Sequence, residues 1–319
     1  MSGRILVVGA GATGGFFGAR LAQHGRDVTF LVREARAAAL REHGLRVTGL
    51  GRDDVIRPQV VTAAALDARY DLILLAVKAT ALGPAISDLA PAVGDRAAIV
   101  PFLNGMGHLA PLNERFGPDR VLGGVVKVAT ELEADGTIRQ LAPSASMAIG
   151  EQNEPRTARV ARLAELLSGA GFDVSVSPDI IAAMWHKWVF IAAIGALTGL
   201  LRGSVGEIVA QPGGAAAGRA VLAEAAAVSA AAGYPLPAAE HDATLAVLTR
   251  AGSDTTSSLS RDLRAGRHTE VEPVLGDLAR RAAQAGLAVP FIDLATLALR
   301  VHESGSARRP GPSRRLGRP

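Results

Sequence analysis

The sequence predicts an α/β domain built on a parallel sheet, followed by an all-helical domain, and three observations carry that expectation. The first is a short β-branched run joined through a glycine turn to a helical pattern, "RILVVGAGATGGFFGARLAQHG". The second is a pair of continuous apolar runs, "YDLILLAVKAT" and "AAIVPFLNGMGHL", of the kind that strands buried on both faces of a parallel sheet display. The third is a helical pattern from Ile180 almost to the end, opening on "MWHKWVFIAAIGALTGL". A chain of 319 residues accommodates two domains at roughly 100 to 200 residues each. The patterns divide it into residues 1–176, residues 177–305 and a short tail, 306–319.

The first strand covers Ile5 to Val8, and the glycines after it have the spacing GxGxxG between a strand and a helix. In that context Gly9 permits the tight turn and Gly11 lets the backbone approach a pyrophosphate. Gly14 lets the helix pack close to the strand, while free amides at the helix start face the anion. This is the arrangement of a Rossmann-like dinucleotide-binding domain. A second strand, Asp27 to Val32, ends in "FLVRE". Arg33 lies where an arginine can pair with the 2'-phosphate of NADPH, and Glu34 follows it. Lys78 and Asn104 end the two apolar runs, and in open parallel sheets ligands bind beyond the carboxyl ends of strands. "VLGGVVKVATEL" and "SMAIGE" read as antiparallel strands with "DGTIRQLA" between them, and a helix and "FDVSVS" close the domain.

In the helical half, no charged residue intervenes between Lys187 and Arg202, and apolar side chains cover every face of the helix. Such a helix is buried. A lysine at its head must reach water, a partner or a substrate, because an unpaired buried ammonium is costly and tends to lose its proton. The Ala-rich stretches at 215–232 and 277–286 reflect helix-former bias.

Composition removes several function classes. There is no cysteine, so disulfides, thiolate metal sites and thiol catalysis are excluded, and the seven histidines show no ligand spacing, so no metal site is expected. The formal charge is only +4, and the stretch "ARRPGPSRRLGRP" holds five arginines and no acid. The body is therefore near neutral, and the composition of the tail reads as solvated and disordered. No nucleic-acid partner is expected, because the tail lacks interleaved aromatics and a binding module. The opening segment has glycines within its apolar part, which argues against a signal peptide. The apolar run from Trp188 to Leu201 has 14 residues, short of the roughly 20 that span a bilayer. A cytoplasmic protein without membrane contact is the expectation.

Seven segments together carry a resemblance to the ketopantoate reductase (2-dehydropantoate 2-reductase) family. They are "GAGATGG", "VKA", "NGMG", "MWHKWVF", "ALTGL", "SSLSRDLRAGRHTEVE" and "AGLAVP". The resemblance implies a Rossmann domain joined to an all-helical domain of the 6-phosphogluconate dehydrogenase-like type, and NADPH-dependent reduction of a small-molecule 2-keto acid. Carried onto this chain, the family's tryptophan-x-lysine falls on Trp185 and Lys187, making Lys187 the general acid. The family glutamate falls on Glu270, the substrate-binding serine on Ser258 and the asparagine near the nicotinamide on Asn104, with Arg33 and Lys78 as basic contacts to NADPH. The chemistry agrees: as hydride reaches the carbonyl carbon, charge builds on oxygen, and an adjacent lysine can donate the proton.

The chain departs from the family where the substrate is read. The family's lysine helix presents asparagines four and eight residues after the lysine, on one helical face. Here those substrate-binding positions are Ile191 and Gly195, and Leu275 stands where asparagine is usual before Gly276. Each hydrogen bond lost to a hydroxylated substrate costs roughly 1 to 3 kcal/mol. The sequence therefore points to an NADPH-dependent, ketopantoate reductase-like enzyme with a more apolar pocket. Reduction of another ketone or an imine, or a non-catalytic NADPH-binding sensor, stands as the alternative. The related β-hydroxyacid dehydrogenases pair their lysine with an asparagine four residues on, which Ile191 replaces here. The sequence leaves monomer and homodimer both open.

Overall fold

The computed structural model describes residues 3–66, 70–154 and 157–306; the basic stretch from residue 307 lies outside them. The described chain forms two compact units that meet inside one helix, between Met184 and Trp185.

The first unit opens as the glycine pattern predicts. β1 (Arg4–Val8) runs into α1 (Ala12–Gln23), β2 (Asp27–Leu31) and α2 (Glu34–His43). A hairpin of β3 (Leu45–Gly49) and β4 (Arg52–Ile56) and a short β5 (Gln59–Val61) follow, none of which the apolar patterning had marked. Next come β6 (Tyr70–Leu75), α3 (Leu82–Leu89), β7 (Val93–Pro101) and α4 (Leu109–Phe116). The unit closes with β8 (Gly123–Leu132), β9 (Ile138–Gly150), α5 (Ala158–Leu167), β10 (Asp173–Val176) and the start of α6 (Ile180–Leu201).

Five strands form a parallel sheet in the order β5-β2-β1-β6-β7. Its register aligns Leu31, Val8, Leu75 and Pro101 in one lateral row, so these four strands share a level carboxyl edge. A second sheet runs β10-β9-β3-β4, with β8 antiparallel on the other edge of β9. Of "DGTIRQLA", read as lying between the two strands, Ile138 to Ala142 are instead the first part of β9, which is long enough to pair with β3 at Ile138 and with β10 at Ser146 to Ile149. Phe17 anchors the core between α1 and the sheets, edge-on to Phe172 with ring centroids 4.8 Å apart, and fully buried. Burial of such a ring contributes about 1.5 to 3 kcal/mol.

α6 begins three residues after Ser177, and its first turn belongs to the sheet unit for a steric reason. Gly123 and Gly150 leave room for Ile180, whose side chain would lie 2.6 to 2.7 Å from a Cβ at either position.

The second unit contains the rest of α6 and then α7 (Val205–Val209), α8 (Gly214–Ala231), α9 (Ala238–Leu248) and α10 (Ser258–Arg264). A π-helical turn at Glu272–Gly276 leads without a break into α11 (Asp277–Gln284), and α12 (Pro290–Ser306) completes it. The caps are chemically explicit. Ser204 and Glu207 form a reciprocal capping box on α7. The Glu224 carboxylate accepts from the amides of Phe291 and Ile292 at 3.0 and 2.9 Å, satisfying the first turn of α12.

The 14-residue apolar run is part of a helix of 22 residues, because the helix starts at Ile180. By length and composition alone α6 reaches what a bilayer span needs, so the argument from length fails. Its packing says more: Ala192, Ala193, Ala196 and Leu197 are fully buried, and Gly195 and Gly199 lie against Leu259 and Leu299. The Thr198 hydroxyl donates to the Ile194 carbonyl and shares a 2.8 Å hydrogen bond with Ser257.

Candidate active site

The carboxyl edge of the parallel sheet collects the residues that the sequence nominated in the first unit. Gly9 follows the last residue of β1 directly, Arg33 stands two residues beyond β2, and Lys78 and Asn104 stand three residues beyond β6 and β7 (78 − 75 and 104 − 101). The strands end earlier than the apolar runs, so both polar residues lie in loops rather than on strand termini. Because β2, β1, β6 and β7 are neighbours, the order along the edge is Arg33, the glycine loop, Lys78, Asn104. Three strand spacings cover on the order of 14 Å. Arg33 and Lys78 are exposed and Asn104 is half-buried.

The glycines divide into two kinds. Gly9 has φ +97, and a Cβ on it would sit 2.9 Å from the Ala76 carbonyl; one on Gly14 would strike the Gly9 carbonyl and the Ala76 methyl. These two are required by the loop's own packing. Gly11 is different: it caps α1 with extended backbone, φ −85 and ψ −168, and a Cβ there would meet nothing within 4 Å. Among the described residues nothing crowds that place, whereas an anion seated on the amides of the first turn of α1 would. The loop therefore fits a dinucleotide pyrophosphate.

One contributor was missed. Arg36, three residues after Arg33, donates from Nη2 to the Ala10 carbonyl at 3.2 Å and to the Gly136 carbonyl at 3.1 Å. It straps the glycine loop to the turn between β8 and β9. Burial pushes its guanidinium below the ordinary arginine value, and the nearby Asp135 carboxylate works in the opposite direction. The signal available in the sequence was a second arginine one helical turn along in "VREAR".

In the second unit Lys187 sits on α6 at a half-buried position, and Glu270 is half-buried just ahead of the π-helical turn. Both are engaged with neighbouring groups. Ser257 caps α10, accepting from the Ser260 amide at 3.0 Å, and is itself buried against Thr198 of α6. That leaves Ser258 exposed in the first turn of α10. Ile191 is half-buried and shares the Lys187 face by helical spacing. At Gly195, the room a larger residue would need is taken: a Cβ would lie 2.9 Å from Leu259 Cδ1. The missing asparagine is therefore replaced by an apolar wall and not by a vacancy. Leu275 is fully buried, so its side chain belongs to the helical core. Among the described residues no group of three or more His, Asp or Glu side chains could hold a metal.

A glycine loop opening a parallel sheet, with a helical unit that carries a lysine on an apolar helix, is the plan of a dinucleotide-binding oxidoreductase. Sequence comparison makes the family explicit. The profile described as "Ketopantoate reductase PanE/ApbA" matches residues 5–154, and its C-terminal counterpart matches residues 179–303. The chain belongs to the ketopantoate reductase (PanE/ApbA) family, and is an oxidoreductase of that family. It is 33% identical to the uncharacterized oxidoreductase YkpB of Bacillus subtilis over 94% of this chain and 99% of that protein. It is 31% identical to a 2-dehydropantoate 2-reductase of Mesorhizobium japonicum over 93% of this chain and 96% of that protein. Its fold is similar to that of a PanE/ApbA family ketopantoate reductase from Ralstonia eutropha, with TM-score 0.84 and 26% identity over 95% of this chain and 99% of the other. A D-mandelate dehydrogenase solved with NADH and anilino(oxo)acetate has the same fold at TM-score 0.87 and 23% identity, with the same coverage.

Proposed function

We propose that the protein reduces a 2-keto acid with NADPH, using Lys187 as general acid, and that its substrate carries a less polar side chain than ketopantoate. The observation that carries the reading is the composition of α6. Lys187 is the one Lys, Arg, Asp or Glu in the 22 residues of α6, where His186 and Thr198 are the other polar side chains, and it is half-buried. A lysine in such a place bears a desolvation cost, as groups that hand on a proton in an active site do.

The nucleotide, when bound at the glycine loop, supplies hydride to the carbonyl carbon. Arg33 supports NADPH over NADH, since an exposed guanidinium at the end of β2 matches a 2'-phosphate. Lys78 and Asn104 lie farther along the same edge, toward the nicotinamide end. The Lys187 ammonium donates its proton to the carbonyl oxygen as negative charge develops there, giving a 2-hydroxy acid. Glu270 keeps that ammonium charged, and the exposed Ser258 hydroxyl is available to the substrate carboxylate. Ile191 and the Leu259 wall over Gly195 favour an alkyl or aryl group in the remaining space.

The test is initial-rate NADPH oxidation with ketopantoate beside branched and aromatic 2-keto acids, for the wild type and Lys187→Ala. The expected result is higher kcat/KM for an apolar keto acid than for ketopantoate. In the variant the rate should fall about 10² to 10⁴-fold with NADPH affinity retained. Preference for ketopantoate would overturn the substrate assignment, and full activity of Lys187→Ala would overturn the acid. NADPH binding with no turnover across the panel would favour an imine reductase or a sensor.

A further inference from the structure

Trp188 follows Lys187 on α6 and is almost completely buried. Its indole Nε1 donates to the carbonyl of Val274 at 2.8 Å, and that bond is itself buried. Val274 lies in the middle of the π-helical turn, four residues after Glu270, and the Val274 amide donates to the Glu270 carbonyl at 3.2 Å. A π turn is a local departure from regular helix that costs stability and recurs at functional sites, and Pro273 inside this one supplies no amide to it. A turn so constructed needs fixing from outside.

Glu270 is in fact held from both sides. Upstream, the Thr269 amide and hydroxyl both donate to the Glu303 carboxylate of α12, at 2.7 and 2.8 Å. Downstream, the anchor is the Trp188 indole. The face of α6 that carries the two tryptophans is fixed as well: the Arg281 guanidinium of α11 lies 5.4 Å from the ring centre of Trp185 and 5.5 Å from that of Trp188, and the Asp277 carboxylate steadies it at 3.2 Å. Trp185 and Trp188 flank Lys187 in sequence, so this grip sets the rotation of α6 about its axis, and with it the direction in which Lys187 leaves the helix.

We propose that Trp188 is a positioning residue, whose indole N–H ties the Glu270 segment to the helix turn bearing Lys187 and so fixes the Glu270 carboxylate that serves the acid. The inference rests on the reading of Lys187 and Glu270 given above. The bond it uses is absent from any apolar residue of similar size, so its loss is separable from loss of packing.

The experiment is a double-mutant cycle with Trp188→Phe and Glu270→Gln, measured as kcat and KM with the 2-keto acid turned over fastest, beside Lys187→Ala. The expected result for Trp188→Phe is a kcat lowered about tenfold with KM for NADPH unchanged. In the Glu270→Gln background the same substitution should lower kcat less than twofold, since the group it positions is already gone. Incorporation of benzothienylalanine at 188, which keeps the bicyclic shape without the N–H, should reproduce the kcat loss even if the phenylalanine variant folds poorly. Equal effects of Trp188→Phe in both backgrounds, or wild-type kcat with benzothienylalanine, would overturn the proposal. If Lys187→Ala is itself fully active, the catalytic reading fails first, and the two failures are told apart by that single control.

Discussion

Adding one methyl group to Gly11 or to Gly14 should have opposite consequences for stability and for cofactor binding. Gly11 has backbone angles that any L-residue adopts, and its added Cβ meets nothing within 4 Å. Gly11→Ala should therefore change the stability of the free protein by no more than about 1 kcal/mol, because the narrower unfolded ensemble of alanine is opposed by its poorer fit at a helix N-cap. The methyl would crowd the helix start at which the pyrophosphate is proposed to sit. Losing one charge-assisted hydrogen bond, worth about 1.5 to 3 kcal/mol, weakens NADPH binding by roughly 10- to 150-fold. Gly14→Ala drives its Cβ into the Gly9 carbonyl and to 2.6 Å from the Ala76 methyl, so it should destabilise by about 1 to 3 kcal/mol or more without any ligand present. Urea denaturation of the apoprotein and NADPH titration followed by nicotinamide fluorescence measure the two effects separately. A Gly11→Ala protein that binds NADPH with wild-type affinity would refute the placement of the pyrophosphate on this loop.

Three further predictions concern selectivity, packing and pH. Arg33→Ala should lower the kcat/KM ratio of NADPH over NADH by about 10- to 100-fold, read from steady-state kinetics with each cofactor; an unchanged ratio would remove Arg33 from 2'-phosphate recognition. Gly195→Asn should destabilise by about 1 to 3 kcal/mol through its clash with Leu259, and the double variant with Leu259→Ala should be more stable than the sum of the single effects by about 0.5 to 3 kcal/mol; additive unfolding free energies would contradict the contact. The Glu272 carboxyl is held below its ordinary value chiefly by hydrogen bonds from Arg300 at 2.6 and 2.7 Å. A depressed folded-state value contributes stability above the unfolded pKa and loses it as pH falls through the folded one. Glu272→Gln should therefore cost no more than about 1 kcal/mol at neutral pH, as an exposed pair does, and progressively less as the pH is lowered below the ordinary glutamate range, by chemical denaturation at a series of pH values; a cost that does not shrink in acid would contradict the pairing.

The parts of the molecule legible in the sequence are those determined by near neighbours along the chain. Gly9, Gly11 and Gly14 announce the loop because their spacing encodes one turn of backbone, and the run Leu72 to Leu75 announces a strand buried on both faces. The β3–β4 hairpin escaped notice because Leu45 to Ile56 is short and mixes charge into both strands, as expected where one edge is solvated. Arg36 was passed over because its partners, Ala10 and Gly136, are far from it in sequence and are backbone carbonyls, which leave no trace in residue types. The same holds for Leu259 against Gly195: the sequence shows an amide missing, whereas only the fold shows what took its room. The π turn is invisible to periodicity, since one extra residue within "EPVLG" alters the phase of the helix without altering its composition.

The central position of β1 in its sheet has a consequence for synthesis. β1 is made first and can pair with β2 soon after, but its other edge is completed by β6, whose first residue lies 62 positions beyond the end of β1 (70 − 8). At about 5 to 20 residues per second, that edge stays open for roughly 3 to 12 seconds on the ribosome. During this interval Ile5 to Val8 offer unpaired amides and carbonyls on a strand whose only charge is Arg4, a template for pairing with other nascent chains. The strand that later holds the glycine loop level with its neighbours is thus open to mispairing while the polypeptide is being made.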